Sequence, residues 1–263
     1  MKSTQPTRSR ARALSWLCLL CVLGLIGAAF PFAARAQSAK RLYSKQEVLE
    51  IAQGIIRWKK LDNGSAAGGV LLNNTLLELA GSTSGDWYPI GLARLGAEDD
   101  YGAYLAVIRE VVRERYREPS KLSLAKATEW HRISLAILAA GGDPSHFGID
   151  EAGLPINLIA DGTYDRGKTT SLGRQGVNGW IWGLIALDAM RYQIPEGGFY
   201  SRDDMILKIL GKQLADGGFA LSGQNADPDI TAMAIQALAP YYNSEKAYTY
   251  LLKSADKSVV KSV

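Results

Sequence analysis

The chain has 263 residues, 47% of them hydrophobic, which is enough apolar material for a sizeable core in one or two domains. Its formal net charge of +4 belongs to one end. Five of the 30 basic residues (Lys2, Arg8, Arg10, Arg12, Arg35) and none of the 26 acidic ones lie in residues 1–36, leaving 25 basic against 26 acidic, net −1, in the rest. A near-neutral remainder lacks the electrostatic footprint of a nucleic-acid-binding domain, so no nucleic-acid partner is expected.

Residues 1–36 read as a secretory signal peptide. A basic start precedes an apolar run over 14–29, and Ala34-Arg35-Ala36 supplies a small-x-small cleavage site before Gln37. No Arg-Arg pair occurs, which favours the general secretory route. The alternative is an uncleaved anchor, because 13–34 is free of charge and long enough to span a bilayer. A membrane partner is expected only in that case. Cys18 and Cys21 both lie in the leader, so the mature chain has no thiolate and no disulfide. The expected location is secreted or cell-surface.

Ser44 opens the first predicted helix, with Glu47 three residues on as a capping box. The helix runs to about 61, with Val48, Ile51, Ala52, Ile55 and Trp58 on the face expected to be buried. A loop over 62–69 leads to a short helix over 70–80, stopped by Gly81. Ser84-Gly85-Asp86 caps a helix that ends at Gly96. A long charged helix over 99–117 is expected to bury Tyr101, Leu105, Ile108 and Val112. Glu110–Arg113 and Glu114–Arg117 form i,i+3 pairs on its open side. Arg109, Arg113, Arg115 and Arg117 therefore read as a solvated face in preference to a basic binding patch.

The next helix, over 126–140, stops at Gly141-Gly142-Asp143-Pro144. A short partner follows over 151–160. The polar, glycine-rich stretch 161–176 reads as a long loop able to close over a cavity. Helices over 177–192 and 202–214 are separated by a turn at 195–199. Gly217-Gly218 ends the second of these, leaving Phe219 to tuck back. Asp227-Pro228-Asp229 then opens a helix over 230–238, with Pro in the first turn and acids at the positive dipole end. A last helix starts at Ser244 and carries Tyr248, Leu251 and Leu252.

Four of these helices are copies of one pattern. Gly91, Ser134, Gly183 and Ala234 each precede a Leu/Ile-x-x-Leu step: Leu92 and Leu95, Leu135 and Leu138, Leu184 and Leu187, Ile235 and Leu238. The spacings are 43, 49 and 51 residues. Five residues before each small residue stand Asp86, Glu129, Asn178 and Asp229. A period near fifty with two helices per period predicts an array of about five helical hairpins.

Two motifs carry a family resemblance. Ile209 and Gln213, followed by Gly217-x-Phe219, resemble the repeat motif of squalene cyclases, with Phe where Trp is usual. Asp227-Pro228-Asp229-Ile230-Thr231-Ala232 resembles the Asp-x-Asp-Asp-Thr-Ala motif of class II cyclases, with Ile230 in place of the last Asp. From about residue 40 to the end the chain is similar to the α/α-toroid superfamily of squalene and terpene cyclases, protein prenyltransferases and transcobalamin-like repeats, nearest to toroid modules of exported bacterial proteins. The resemblance implies an all-α fold, with an α/α-toroid domain over 40–263 in which one helix of each hairpin lines a central funnel. Related toroids close with about six hairpins, so it also implies an incomplete ring and further domains in a longer parent chain.

The resemblance sets the N-termini of the four repeat helices around one end of the funnel. The candidate ligand-binding residues are therefore Asp86, Trp87, Glu129, Trp130, Asn178, Asp227 and Asp229. Polar groups beside aligned helix dipoles suit a polar ligand; the plainer reading is helix caps and ordinary aromatic packing. Trp182 falls with Ile185 on the apolar side and reads as core. The function expected is an exported module that binds a small molecule or cell-surface polymer in its funnel. The enzyme alternative is a class II terpene or squalene cyclase-like activity, with Asp229 in the place of the proton donor and Ile230 in the place of its partner. His131 reads as a satisfied helix residue and His146 as a loop residue. Without a mature cysteine the Asp/Cys/His zinc site of protein prenyltransferases cannot be assembled, so neither metal nor cofactor is expected. Cobalamin binding in related toroids takes a second, β-rich domain and is not expected of this chain alone.

Overall fold

The computed structural model describes residues 42–66 and 68–242. The signal peptide, its cleavage site and the helix expected from Ser244 lie outside the described residues. The described residues are all-α, with one isolated β-bridge between Ile149 and Pro155. No described helix is long and apolar enough to cross a membrane. The chain divides into two units, 1–50 and 51–263.

The described part of the first unit, 42–50, holds the start of helix α1, Lys45–Asp62. The Ser44 N–H and hydroxyl donate to the Glu47 carboxylate at 2.9 and 3.0 Å, and the Glu47 N–H returns to Ser44 Oγ at 3.2 Å. This is the capping box that the spacing predicts.

In the second unit follow α2 (Asn74–Leu77), α3 (Thr83–Arg94), α4 (Tyr101–Tyr116), α5 (Thr128–Ala139), α6 (Leu158–Gly162), α7 (Val177–Asp188), α8 (Arg202–Leu210) and α9 (Pro228–Leu238). Short 3-10 turns stand at Arg166–Lys168, Leu172–Gln175 and Ala239–Tyr241. The four repeat helices form a row: α3 packs on α5, α5 on α7, and α7 on α9. The helices between them pack beside this row, α6 against α5 and α8 against α7. One apolar cluster gathers Leu92 of α3, Tyr104, Ile108 and Val112 of α4, and Ile133 and Ile137 of α5. A second gathers Ile181 and Leu184 of α7, Met205 and Ile209 of α8, Phe219, and Ala234 of α9.

Several expectations are corrected by long-range contacts. The stripe of α1 is not buried: Val48, Ile51, Ile55 and Trp58 are 51%, 50%, 58% and 62% exposed. No residue of α1 is fully buried, and the side chain that packs against the core is Ile56, about 100° round the helix from Ile55. The helix expected over 70–80 shrinks to α2 because the Asp99 carboxylate takes the Leu71 and Leu72 N–H groups at 2.8–3.0 Å. The buried face of α4 includes Tyr104, Ile108 and Val112, while Tyr101 and Leu105 are half-buried.

The partner expected over 151–160 is helical only at Leu158–Gly162. The residues before it form a bridged turn in which Asp150 Oδ1 accepts from the Ala152 and Leu154 N–H groups. The stretch 161–176 is not a lid, since Thr163, Arg166 and Leu172 within it are buried. α7 stops at Asp188 where Tyr192 N–H closes back on the Leu187 carbonyl at 2.9 Å. α8 stops at Leu210, short of Gln213-Leu214, because those residues serve the turn after it. Gln213 Nε2 donates to the Gly217 carbonyl at 2.9 Å, and Leu214 N–H to the Gly218 carbonyl at 2.8 Å. Gly217 sits at φ +89°, a conformation glycine adopts without steric cost.

The charged face of α4 is as read. Arg113 pairs with Glu110 at 2.5 Å, Arg117 pairs with Glu114 at 2.6 Å and with Glu151 at 2.9 Å, and Arg109 lies over the Phe147 ring at 5.2 Å.

Candidate functional site

Asp86, in the first turn of α3, is fully buried. Its Oδ1 accepts from the Gly81 N–H at 2.7 Å and the Tyr104 hydroxyl at 2.8 Å, and its Oδ2 accepts from Arg132 Nε at 2.9 Å. Arg132 is itself buried. Its Nη1 donates to Thr83 Oγ1 and Glu129 Oε1 at 3.1 and 3.0 Å, and its Nη2 to the Gly81 carbonyl and Glu129 Oε2 at 3.1 and 2.7 Å. All five guanidinium N–H groups are therefore satisfied. Burial pushes the Asp86 carboxyl up from its ordinary value, and Arg132, Tyr104 and the Gly81 N–H oppose it. Gly81 and Arg132 can only donate here, which suits an ionised carboxylate. The structure thus brings Asp86 and Glu129 together through Arg132, and the cluster ties α3 to α5 with no donor to spare.

Sequence reasoning missed Arg132. The signal was present: it stands two residues before Ser134, a register held by the buried Ile181 in the α7 copy. A charge at a buried register announces a partner.

The other candidates separate. Trp130 is 1% exposed; its Nε1 donates to the Tyr116 hydroxyl at 3.0 Å, and Arg166 stacks over its ring at 4.1 Å. Trp87 is 42% exposed and meets Trp182 of α7 edge-on at 5.7 Å. Asn178, half-buried in the first turn of α7, has an Oδ1 with no hydrogen-bond partner among the described residues. Asp227 is the cap of α9, accepting from the Asp229 and Ile230 N–H groups at 2.8 and 3.0 Å. Asp229 sits exposed in the first turn. A carboxyl that protonates an alkene works in a water-excluded pocket, and the surroundings of Asp229 are open to solvent. The register shared by Asp86, Glu129, Asn178 and Asp229 thus runs from buried, through half-buried twice, to exposed.

His131 is buried, with Nε2 at 2.6 Å from the Gly162 carbonyl and Nδ1 without a partner among the described residues. Burial pushes its pKa down to about 4. The carbonyl can only accept, so Nε2 carries the proton. His146 is exposed in a loop beside Ser145 and Asp143. Among the described residues no group of three or more His, Cys, Asp or Glu is placed to hold a metal ion.

The open space lies elsewhere. Between α1 and α3 runs a cleft of about 270 Å³, lined by Ile55, Trp58 and Lys59 of α1, by Trp87, Tyr88 and Gly91 of α3, and by Leu95 just after it, among others. Its wall is almost wholly apolar, with the Lys59 ammonium at one side, 6.0 Å from the Tyr88 ring centroid. Gly91 is the telling residue. Its counterparts Ser134, Gly183 and Ala234 are buried, whereas Gly91 is exposed and a methyl group added to it would touch nothing.

Compared with known protein families, curated proteins and solved structures, the chain matches none of them.

Proposed function

We propose that the chain is an exported toroid-type repeat module whose binding site is the apolar cleft between α1 and α3, and that it takes a small apolar molecule or the apolar part of a larger one. The observation that carries this is the exposed Gly91 in a cleft walled by Trp58, Trp87, Tyr88 and Leu95. In the proposed architecture, small residues at this register let neighbouring helices close up, and at the α3 edge of the row the same register is left for a ligand. The cleft is near the lower end of ligand sites, which span roughly 300–1,000 Å³. Lys59 stands at the rim with its ammonium paired to Asp62 at 2.6 Å, so an acid or phosphate head would have to share it with that carboxylate. The polar helix starts are less suited to binding, because Asp86 and Glu129 are spent on Arg132, and Asp227 on its own helix.

The test is titration with anilinonaphthalene sulfonate, an apolar fluorophore with one anionic group, against the Gly91→Leu variant. The leucine grows into open space in a helix interior, so the fold is kept while the cleft is filled. Saturable binding at one site, lost in Gly91→Leu, is the expected result. Binding that Gly91→Leu leaves unchanged would refute the assignment.

A further inference from the structure

We propose that α1 is a dimerisation helix, pairing antiparallel with α1 of a second copy of this chain; this rests on the reading that the apolar surface around α1 and α3 is a binding surface. Val48, Ile51, Ile55 and Trp58 follow one another at steps of three, four and three residues. That is the a/d alternation of a two-helix seam. Each is at least half exposed, and Leu61 beside them is 60% exposed. A helix whose apolar stripe faces water is unusual, since amphipathic helices turn that stripe to a partner.

The area is of the right size. Five half-exposed side chains leave on the order of 500 Å² open, so a symmetric pair covers about 1,000 Å², the threshold of a specific interface. Charge sets the direction. The N-terminal part of α1 carries Lys45, Glu47 and Glu50; in the C-terminal part Lys59 is paired with Asp62 at 2.6 Å and Lys60 lies 3.8 Å from the buried Asp99 carboxylate, so Arg57 is the exposed charge there that faces a second copy. The first is net acidic and the second net basic. An antiparallel pair lays each acidic half along the basic half of the other copy, and a parallel pair lays like on like. Gly54, at the middle of the helix and flanking the seam, has no side chain to hold the second helix off. A two-fold pair of this kind is closed and uses the same patch on both copies.

Sedimentation equilibrium of the purified protein, from low micromolar to near-millimolar concentration, is the test. The expected result is reversible conversion from one copy to two. Ile55→Asp, at an exposed position, is expected to leave a single copy with an unchanged circular dichroism spectrum. Glu50→Lys, which leaves the Ser44–Glu47 capping box intact, is expected to weaken the pair several-fold. Adding Arg57→Glu to it is expected to restore the pair, which a merely hydrophobic association would not show.

A single copy at every concentration would overturn the proposal, as would a pair that survives Ile55→Asp. A single copy that pairs only after residues 243–263 are removed would also overturn it, assigning the stripe to the chain's own end. Ile55 and Trp58 belong to both surfaces, so the two proposals are told apart at Gly91, which lines the cleft and lies outside the α1 stripe. A single copy that still binds the fluorophore in a Gly91-dependent way sinks the dimer alone. Pairing through α1 with no such binding sinks the ligand alone.

Discussion

Three aspartates show how far chemistry at the residue scale depends on depth. Asp86→Asn removes the charge opposite a buried arginine, and breaking a buried pair typically costs about 3–5 kcal/mol. Asp227→Ala removes the cap of α9 and is expected to cost about 1 kcal/mol. Asp229→Ala, at an exposed position whose side chain makes no hydrogen bond among the described residues, is expected to stay within about 0.5 kcal/mol. Urea or thermal melts of the three variants check the order; equal losses at Asp86 and Asp229 would contradict the burial gradient. His131 adds a pH dependence. Its folded pKa, about 4, is depressed from an unfolded value near 6.5. Below pH 6.5 the unfolded chain takes up a proton that the folded chain refuses. Stability from this group is therefore complete above about 6.5, falls as the pH drops towards 4, and levels off below. The full span is about 3 kcal/mol. Urea unfolding of the parent and of His131→Gln at pH 7 and pH 4.5 measures it, and the variant is expected to lose that part of the slope.

At the scale of the element, two glycines in repeat helices are expected to answer the same substitution with opposite signs. A methyl group at Gly179 of α7 would run into the Leu172 carbonyl in the 3-10 turn beneath it. Backbone cannot swing aside as a side chain does, so Gly179→Ala is expected to destabilise by about 2 kcal/mol or more. Gly91 of α3 has helical backbone and open space around it. Gly91→Ala is expected to stabilise by about 0.5–1 kcal/mol through helix propensity and a less flexible unfolded chain. Melting curves of the two variants decide. The caps of α1 and α9 and the ion pairs of α4 were legible in the sequence, because each joins residues within one helical turn. The late start of α2 was not, because the group that holds Leu71 and Leu72 before it, Asp99, lies 27 and 28 residues beyond the N–H groups it takes.

At the largest scale, within the second unit, the contact between Trp87 and Trp182 links alternate repeats. α3 and α7 both neighbour α5, and their tryptophans also meet each other directly. Edge-to-face pairs of this kind are worth about 0.5–1.5 kcal/mol beyond their burial. A double-mutant cycle on Trp87→Leu and Trp182→Leu is expected to return a coupling in that range. Zero coupling would mean that alternate repeats fold without reference to each other, as in a straight array whose units touch only their nearest neighbours.

The sequence by itself determined what is local or periodic: helix type throughout, the starts of α1 and α9, the turn at Gly217-Gly218, and the repeat that sets α3, α5, α7 and α9 in one row. Tertiary structure alone decided which copies of a shared register are deep. Asp86 and Asp229 hold the same place in the pattern, but α5 and Tyr104 close over the first and nothing in the described residues covers the second. It also decided that Arg132 reaches Asp86 across 46 residues of chain, and that α1 turns Ile56 to the core and its stripe outward. The physical reason is common to all three. Periodicity tells which side chains share a face, but burial depends on what packs against that face, and the packing partners lie dozens of residues away.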